Sequence, residues 1–129
     1  DGGSVSSNGT GTGSASDLVF GGGTLQHNAA NVASTDRLFT IGDAHGLTAT
    51  IDSSGGSTNT LSFTNTGALA LGGSGARTLT LTGGNTNAGN TFAPQINDNA
   101  SEVTSVVKTG GGTWTLTNTS NGFSGGALN

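Results

Sequence analysis

The sequence has 129 residues, one domain by default, with 25 glycines, one proline, no cysteine and a formal net charge of −4. Three cationic residues (Arg37, Arg77 and Lys108) cannot line a phosphate track, which argues against a nucleic-acid partner, and no run of about 18 apolar residues supplies a membrane span. Leu, Ile, Val and Phe number only 25, near the level at which disorder is expected, but the low charge and the period-2 placement of these residues point to a thin, ordered core.

Residues 1–16 carry Val5 as their one large apolar side chain. They read as a flexible lead-in or inter-unit linker, followed by a solenoid segment over 17–129. Short strands are predicted at Leu18–Phe20 and Thr24–Gln26, then from Arg37 to Ile41, where Leu38 and Phe39 are adjacent, so that one must face away from the core or sit at a bend. Leu47–Ile51, Leu61–Phe63, Leu69–Leu71, Leu79–Leu81 and Trp114–Leu116 alternate apolar and polar residues, the period of a half-buried strand. Gly-rich corners separate most of them: Gly55-Gly56, Gly72-Gly73, Gly83-Gly84 and Gly110–Gly112. No window keeps helical periodicity beyond one turn, so the fold class is all-β.

Thr78-Leu79-Thr80-Leu81-Thr82 matches Thr113-Trp114-Thr115-Leu116-Thr117 at an offset of 35 positions. Leu61 to Leu79 and Ile96 to Trp114 are equal, shorter intervals along the chain. These spacings predict a parallel β-helix, a β-solenoid of about 18-residue coils whose strands stack ~4.8 Å apart. Its expected core is Leu25, Phe39, Ile51, Leu61, Phe63, Leu69, Leu71, Leu79, Leu81, Trp114, Leu116 and Phe123. Its expected repeat corners are Gly75, Gly83, Gly110, Gly112 and Gly125. A sandwich, whose strands also recur at intervals of roughly 8–12 residues, is the alternative.

Lys108, Gly110, Gly112, Thr113, Leu116, Asn121, Phe123, Gly125 and Gly126 fall on a pattern that resembles the autotransporter-associated β-strand repeat, also called the passenger-associated transport repeat. Asn118 and Ala127 depart from it, and one extra residue lies near Ser120. An upstream copy keeps Gly75, Thr78, Leu79, Leu81, Gly83, Asn85 and Gly89. The resemblance implies a right-handed parallel β-helix exported to a bacterial surface, structural and without catalytic residues. Gly125-Gly126-Ala127-Leu128-Asn129 also repeats Gly22-Gly23-Thr24-Leu25-Gln26. This suggests one unit of an array, continued covalently or by head-to-tail stacking of copies. With no leader-like segment at Asp1, the chain is expected to be a mature product, a fragment or one segment of something longer.

No constellation marks an enzyme. Asp43-Ala44-His45 sits in a turn, and no G-x-S-x-G elbow supplies a nucleophile. His27 and His45, with Asp36, lack metal-ligand spacing. Gly72-Gly73-Ser74-Gly75-Ala76-Arg77 mimics a calcium-binding nonapeptide but places a cation where the carboxylate is needed, so no metal or cofactor is expected, and Arg77→Ala is expected to do little. Asp98 and Glu102 read as loop acids, with a weak Ca²⁺ site as an alternative. Asn8, Asn99 and Asn118 open glycosylation sequons of a kind frequent by chance. Lys108 and Arg37 are candidates for ion pairs that fix rung register. The expected function is an extracellular structural repeat, a surface fibre or adhesin-like stalk built by end-to-end stacking with itself as partner. The alternative is a binding module for glycan, another surface ligand or ice, using Thr-x-Thr faces. That second reading is set back by Ser62, Ala70 and Val107 between the two Thr runs.

Overall fold

The computed structural model describes residues 14–128; most of the expected lead-in, like Asn8, lies outside them. A 3-10 turn at Ala15–Asp17, capped by the Ser14 side chain, leads into strands. These are β1 (Val19–Phe20), β2 (Thr24–His27), β3 (Ala33–Thr35), β4 (Thr40–Ile41), β5 (Thr48–Ser53), β6 (Leu61–Phe63), β7 (Ala70–Leu71), β8 (Arg77–Thr82), β9 (Thr91–Phe92), β10 (Thr104–Lys108), β11 (Thr115–Leu116) and β12 (Gly125–Leu128). Among the described residues they form three sheets, ordered β1-β4-β7, β2-β5-β8-β10-β12 and β3-β6-β9-β11. Every strand pairing is parallel. The chain therefore winds through the sheets in turn. β1–β3, β4–β6 and β7–β9 are three complete coils, and β10–β12 carry the winding onward. The molecule is an all-β parallel solenoid.

The coils are longer than the sequence spacing suggests, and unequal. One ladder column runs Leu25, Ile51, Leu81, Lys108, Leu128. Its longest step, Ile51 to Leu81, is half again its shortest, Lys108 to Leu128, and even the shortest exceeds the interval from Leu61 to Leu79. That interval measured successive faces of a coil, since Leu61 belongs to β6 and Leu79 to β8, in different sheets. The match of Thr78–Thr82 with Thr113–Thr117 is likewise not a structural repeat. Leu79 pairs with Val106, whereas Leu116 pairs with Phe92 in the third sheet. Hydrogen bonds from Thr109 N to Leu81 O, Gly112 N to Gly83 O and Thr113 N to Asn85 O set the true equivalence of the Gly-rich corners: the corner at Gly110–Gly112 lies over the one at Gly83-Gly84, a single coil earlier. Loops at the corners absorb the differences in length, and the strands keep their columns.

Alternation along each strand puts apolar residues inside. In β5 Ala49, Ile51 and Ser53 are buried beneath outward Thr48, Thr50 and Asp52. In β8 Arg77, Leu79 and Leu81 are buried beneath Thr78, Thr80 and Thr82. An aromatic spine crosses the coils: Phe39 meets Phe20 at 5.2 Å, Phe63 at 5.9 Å and Phe92 at 6.1 Å between ring centroids, all edge to face. Such pairs add about 0.5–1.5 kcal/mol each beyond area burial. Ile51, Leu61, Leu69, Leu79 and Leu81 are buried with them, as are Ala49, on the inner side of its alternating run, and Phe20, Ile41, Phe92, Ile96 and Val106, which alternation alone does not single out. Leu25, Leu71, Trp114, Leu116 and Phe123 are partly buried and pack against this core, and so does Leu38, next to the buried Phe39. Among the described residues no helix is long and apolar enough to cross a membrane.

Candidate functional site

A solenoid does its work through what holds one coil to the next and what its faces present. Beyond the strand ladders and the apolar core, coil-to-coil cohesion comes from polar side chains at the corners, of which Asn85, Asn90 and Arg77 are buried. Asn90 is fully buried and uses its whole amide. Its Oδ1 accepts from Leu61 N (3.1 Å) and the Ser53 hydroxyl (2.8 Å), and its Nδ2 donates to the carbonyls of Asn85, Asn87 and Thr113. Asn85, also buried, donates to Gly56 O and Asn59 O on the preceding coil. Asn65 reaches Asp36 O, Asn87 reaches Ser57 O, and Asn118 reaches both Ala93 O and Thr66 O. Asn suits these corners because one amide both donates to a carbonyl below and accepts from its own turn, as Asn65 does from Gly67 N and Asn118 from Ser120 N.

The strongest clamp centres on Arg77, at 1% exposure. Its Nε and Nη2 both donate to Gly72 O (3.1 and 2.7 Å), Nη2 also to Gly73 O (2.7 Å), and Nη1 to Gly75 O (2.9 Å) and Glu102 Oε2 (3.2 Å). The side chain sits inside the Gly-rich corner and neutralises its convergent carbonyls. This corrects the expectation that Arg77 is dispensable: the missing carboxylate of the calcium-like motif is answered by a cation already built into the chain. The Gly75 N–H, then Arg77, hold the Glu102 carboxyl below its ordinary range. Gly75 and Gly83 have φ of 117° and 118° and Gly110 has φ of 69°, which these corners require. Gly112 and Gly125 lie close over the preceding coil, against Asn85 and Gly83 carbonyls and against Val103 and Ser105 respectively.

The outward face of the five-stranded sheet carries two threonine columns. Thr24, Thr50 and Thr80 lie in one, followed by Val107. Thr48, Thr78 and Ser105 lie in the next. Ser62 and Ala70 belong to other sheets, so they do not interrupt these columns, contrary to the linear reading. Beside them Gln26 Nε2 donates to Asp52 Oδ2 at 2.8 Å.

Two recesses lie at opposite ends of the described stack. One, of about 290 Å³, is lined by Val106, Leu116, Phe123, Ser124, Gly125 and Gly126. The other, of about 260 Å³, is lined by Asp17, Leu18, Leu25 and Arg37.

The remaining candidates are turn and loop groups. Asp43 accepts from His45 N (2.6 Å) and Gly46 N (3.1 Å), and the first of these bonds chiefly holds its carboxyl below the ordinary range. The His45 ring, 3.4 Å from Asp43, is 85% exposed, and His27 contacts Asn31 O at 2.8 Å. Asp98 accepts from Thr104 N (2.7 Å) and Ser124 N (3.2 Å), and hydrogen bonding from the Ser124 side chain, then Thr104 N–H, lowers its pKa. Among the described residues no group of three or more His, Cys, Asp or Glu is placed to hold a metal. Lys108 donates to Thr109 O and Gly110 O, capping its own corner, while Arg37 lies 3.7 Å from Asp17. The Asn118 amide nitrogen is occupied by its two carbonyls, and that of Asn99 donates to Glu102.

No family model and no solved structure matches the chain. Over 115 residues, 88% of its length, it is 42% identical to the adhesin BmaC autotransporter of Brucella suis biovar 1 (strain 1330). It spans only about 3% of that much longer relative. Parallel coils and this similarity together fit the repeats of an autotransporter passenger.

Proposed function

We propose that this chain is a non-enzymatic repeat segment of an adhesin-like passenger, displayed outside the bacterial cell, and that it extends a surface stalk by stacking coil on coil. The observation that carries this reading is the five-strand parallel ladder β2-β5-β8-β10-β12, reinforced at the corners by Asn90, Asn85 and Arg77. Side chains that elsewhere serve chemistry are spent here on joining coils. A rod of this kind needs no cofactor, and similarity to a named adhesin supports its place at the surface. The test is an epitope inserted at Gly111, where the corner is open, in the parent polypeptide of the producing bacterium. Antibody labelling and protease shaving of intact cells should both reach it. An epitope seen only after lysis would sink the proposal.

The two in-register threonine columns favour a second reading, an ordered-water or glycan-binding face. Uncharged hydroxyls repeat there at the rung spacing of ~4.8 Å. Ice-affinity partitioning and a glycan array on the purified chain test it. Thr50→Lys together with Thr80→Lys should abolish either binding while leaving the circular-dichroism spectrum unchanged; wild-type protein that partitions into neither removes this reading.

A further inference from the structure

Phe20-Gly21-Gly22-Gly23-Thr24-Leu25-Gln26 recurs as Phe123-Ser124-Gly125-Gly126-Ala127-Leu128-Asn129, 103 positions later. The ladders give this recurrence a meaning that sequence alone lacks. In the five-stranded sheet Leu25 and Leu128 share one column, reached through Ile51, Leu81 and Lys108. In the sheet of β1 the column from Val19 passes through Thr40 and Ala70. The Ala68–Gln95 bridge, carried on by two positions, joins Ala70 to Asn97, which pairs with Gly122. Val19 and Gly122 are again 103 positions apart. Individual coils differ in length, so equal displacement in two sheets is not imposed by the winding. β12 thus stands where β2 stands, in the same register, four coils on.

The opposite end of the stack holds a second, independent observation. Arg37 is 4% exposed, yet among the described residues its Nε and Nη2 have no hydrogen-bond partner. These two groups form the bidentate edge of a guanidinium. At Arg77 the same edge is closed by the carbonyl of Gly72. Arg37 faces the recess with Asp17, Leu18 and Leu25, and it awaits what Arg77 already has.

We propose that residues 22–124 are one period of a tandem array of this sequence, and that the free edge of β12 receives the β5 strand of a second copy. This rests on the structural-repeat reading above. The column Thr35, Phe63, Phe92, Leu116 places Thr35 of the second copy one rung above Leu116. Two positions further, Arg37 of that copy falls over Asn118, in the turn 117–120. The corner carbonyls there fill its open edge, as Gly72 O fills that of Arg77. Leu25 of that copy keeps its column in the place of Leu128, Leu18 gives way to Asn121 of the coil beneath, and the apolar recess of Val106, Leu116 and Phe123 is covered.

The test compares three proteins by thermal unfolding: the 129-residue chain, a fusion in which residues 1–124 run directly into residues 22–129 of a second copy, and two whole copies joined by a long Gly/Ser linker. The fusion should melt in one transition about 5 °C or more above the single chain. The linked pair should melt with the single chain. Arg37→Met should leave the single chain unchanged or raise its Tm, because two buried donors without acceptors are removed and only a long ion pair to Asp17 is lost. In the second copy of the fusion the same change should lower Tm by several degrees. A fusion that melts no higher than the single chain, or in two transitions, overturns the tandem period, as does a linked pair that melts as high as the fusion. An Arg37→Met shift of the same sign in both settings overturns the role given to Arg37. A β-rich single chain whose fusion gains nothing leaves the surface-repeat reading standing; a single chain without β structure would defeat that reading instead.

Discussion

Arg77 and Glu102 stand on successive coils with Nη1 and Oε2 3.2 Å apart, so one ion pair ties a buried corner to the Asn99–Glu102 turn above it. Removing the arginine strands the carbonyls of Gly72, Gly73 and Gly75 along with the carboxylate. Arg77→Ala should destabilise the chain by about 3 kcal/mol, read as a lower urea midpoint. Arg77→Lys should recover only part of this, because an ammonium cannot span the same fork. A midpoint unchanged by Arg77→Ala would mean that water fills the corner equally well.

The Glu102 carboxyl is held below its ordinary value by the Gly75 N–H and then by Arg77. A depressed folded pKa contributes stability above the unfolded value, near 4.3, and loses it as pH falls through the folded one. Thermal stability should therefore drop as pH is lowered from about 4.3. Glu102→Gln should flatten that part of the profile and leave a lower, less pH-dependent Tm at neutrality. A variant profile parallel to the wild type would assign the acid sensitivity elsewhere, Asp98 and Asp43 being the other lowered groups.

Phe39 touches aromatic rings on the coil before it, on its own coil and on the coil after it. Phe39→Ala should cost about 3–5 kcal/mol, because the narrow interior has few side chains able to collapse into the gap. Thr80→Ala, on the outward face of a neighbouring sheet, should stay within about 0.5 kcal/mol. Denaturant titration of both variants gives the contrast; equal effects would mean that the spine does not carry the core.

Adjacent glycines at one corner have opposite tolerance. A Cβ on Gly83, where φ is 118°, would collide with the Ser53 carbonyl, whereas one on Gly84 meets nothing within 4 Å. Gly83→Ala should unfold the corner and lower Tm strongly. Gly84→Ala should leave Tm unchanged or slightly raised. Differential scanning calorimetry separates the two, and equal melting points would show that the corner rearranges freely.

The solenoid was legible because period-2 alternation and Gly-rich corners both survive in one dimension. Ile51 and Leu81 could be placed inside from their neighbours alone. Coil length was not legible, since Leu61 and Leu79 look like successive rungs until the ladders show them on different faces. Arg77 was misread for a related reason. A charged residue in a polar run signals solvent, and only the folded corner shows three carbonyls converging on it. Asn90 carried no signal of its own, for an Asn in a loop and an Asn locking three coils have the same spelling.

Because the strands pair in parallel from one coil to the next, the ladder hydrogen bonds point along the stacking axis of the coils. Tension applied along that axis loads those bonds one rung at a time. A coil that contributes ~4.8 Å of rise when folded releases roughly 70–100 Å of chain when it peels away, at about 3.3–3.6 Å per residue. A stack built this way is expected to give way stepwise under axial tension, lengthening by a coil at each yield.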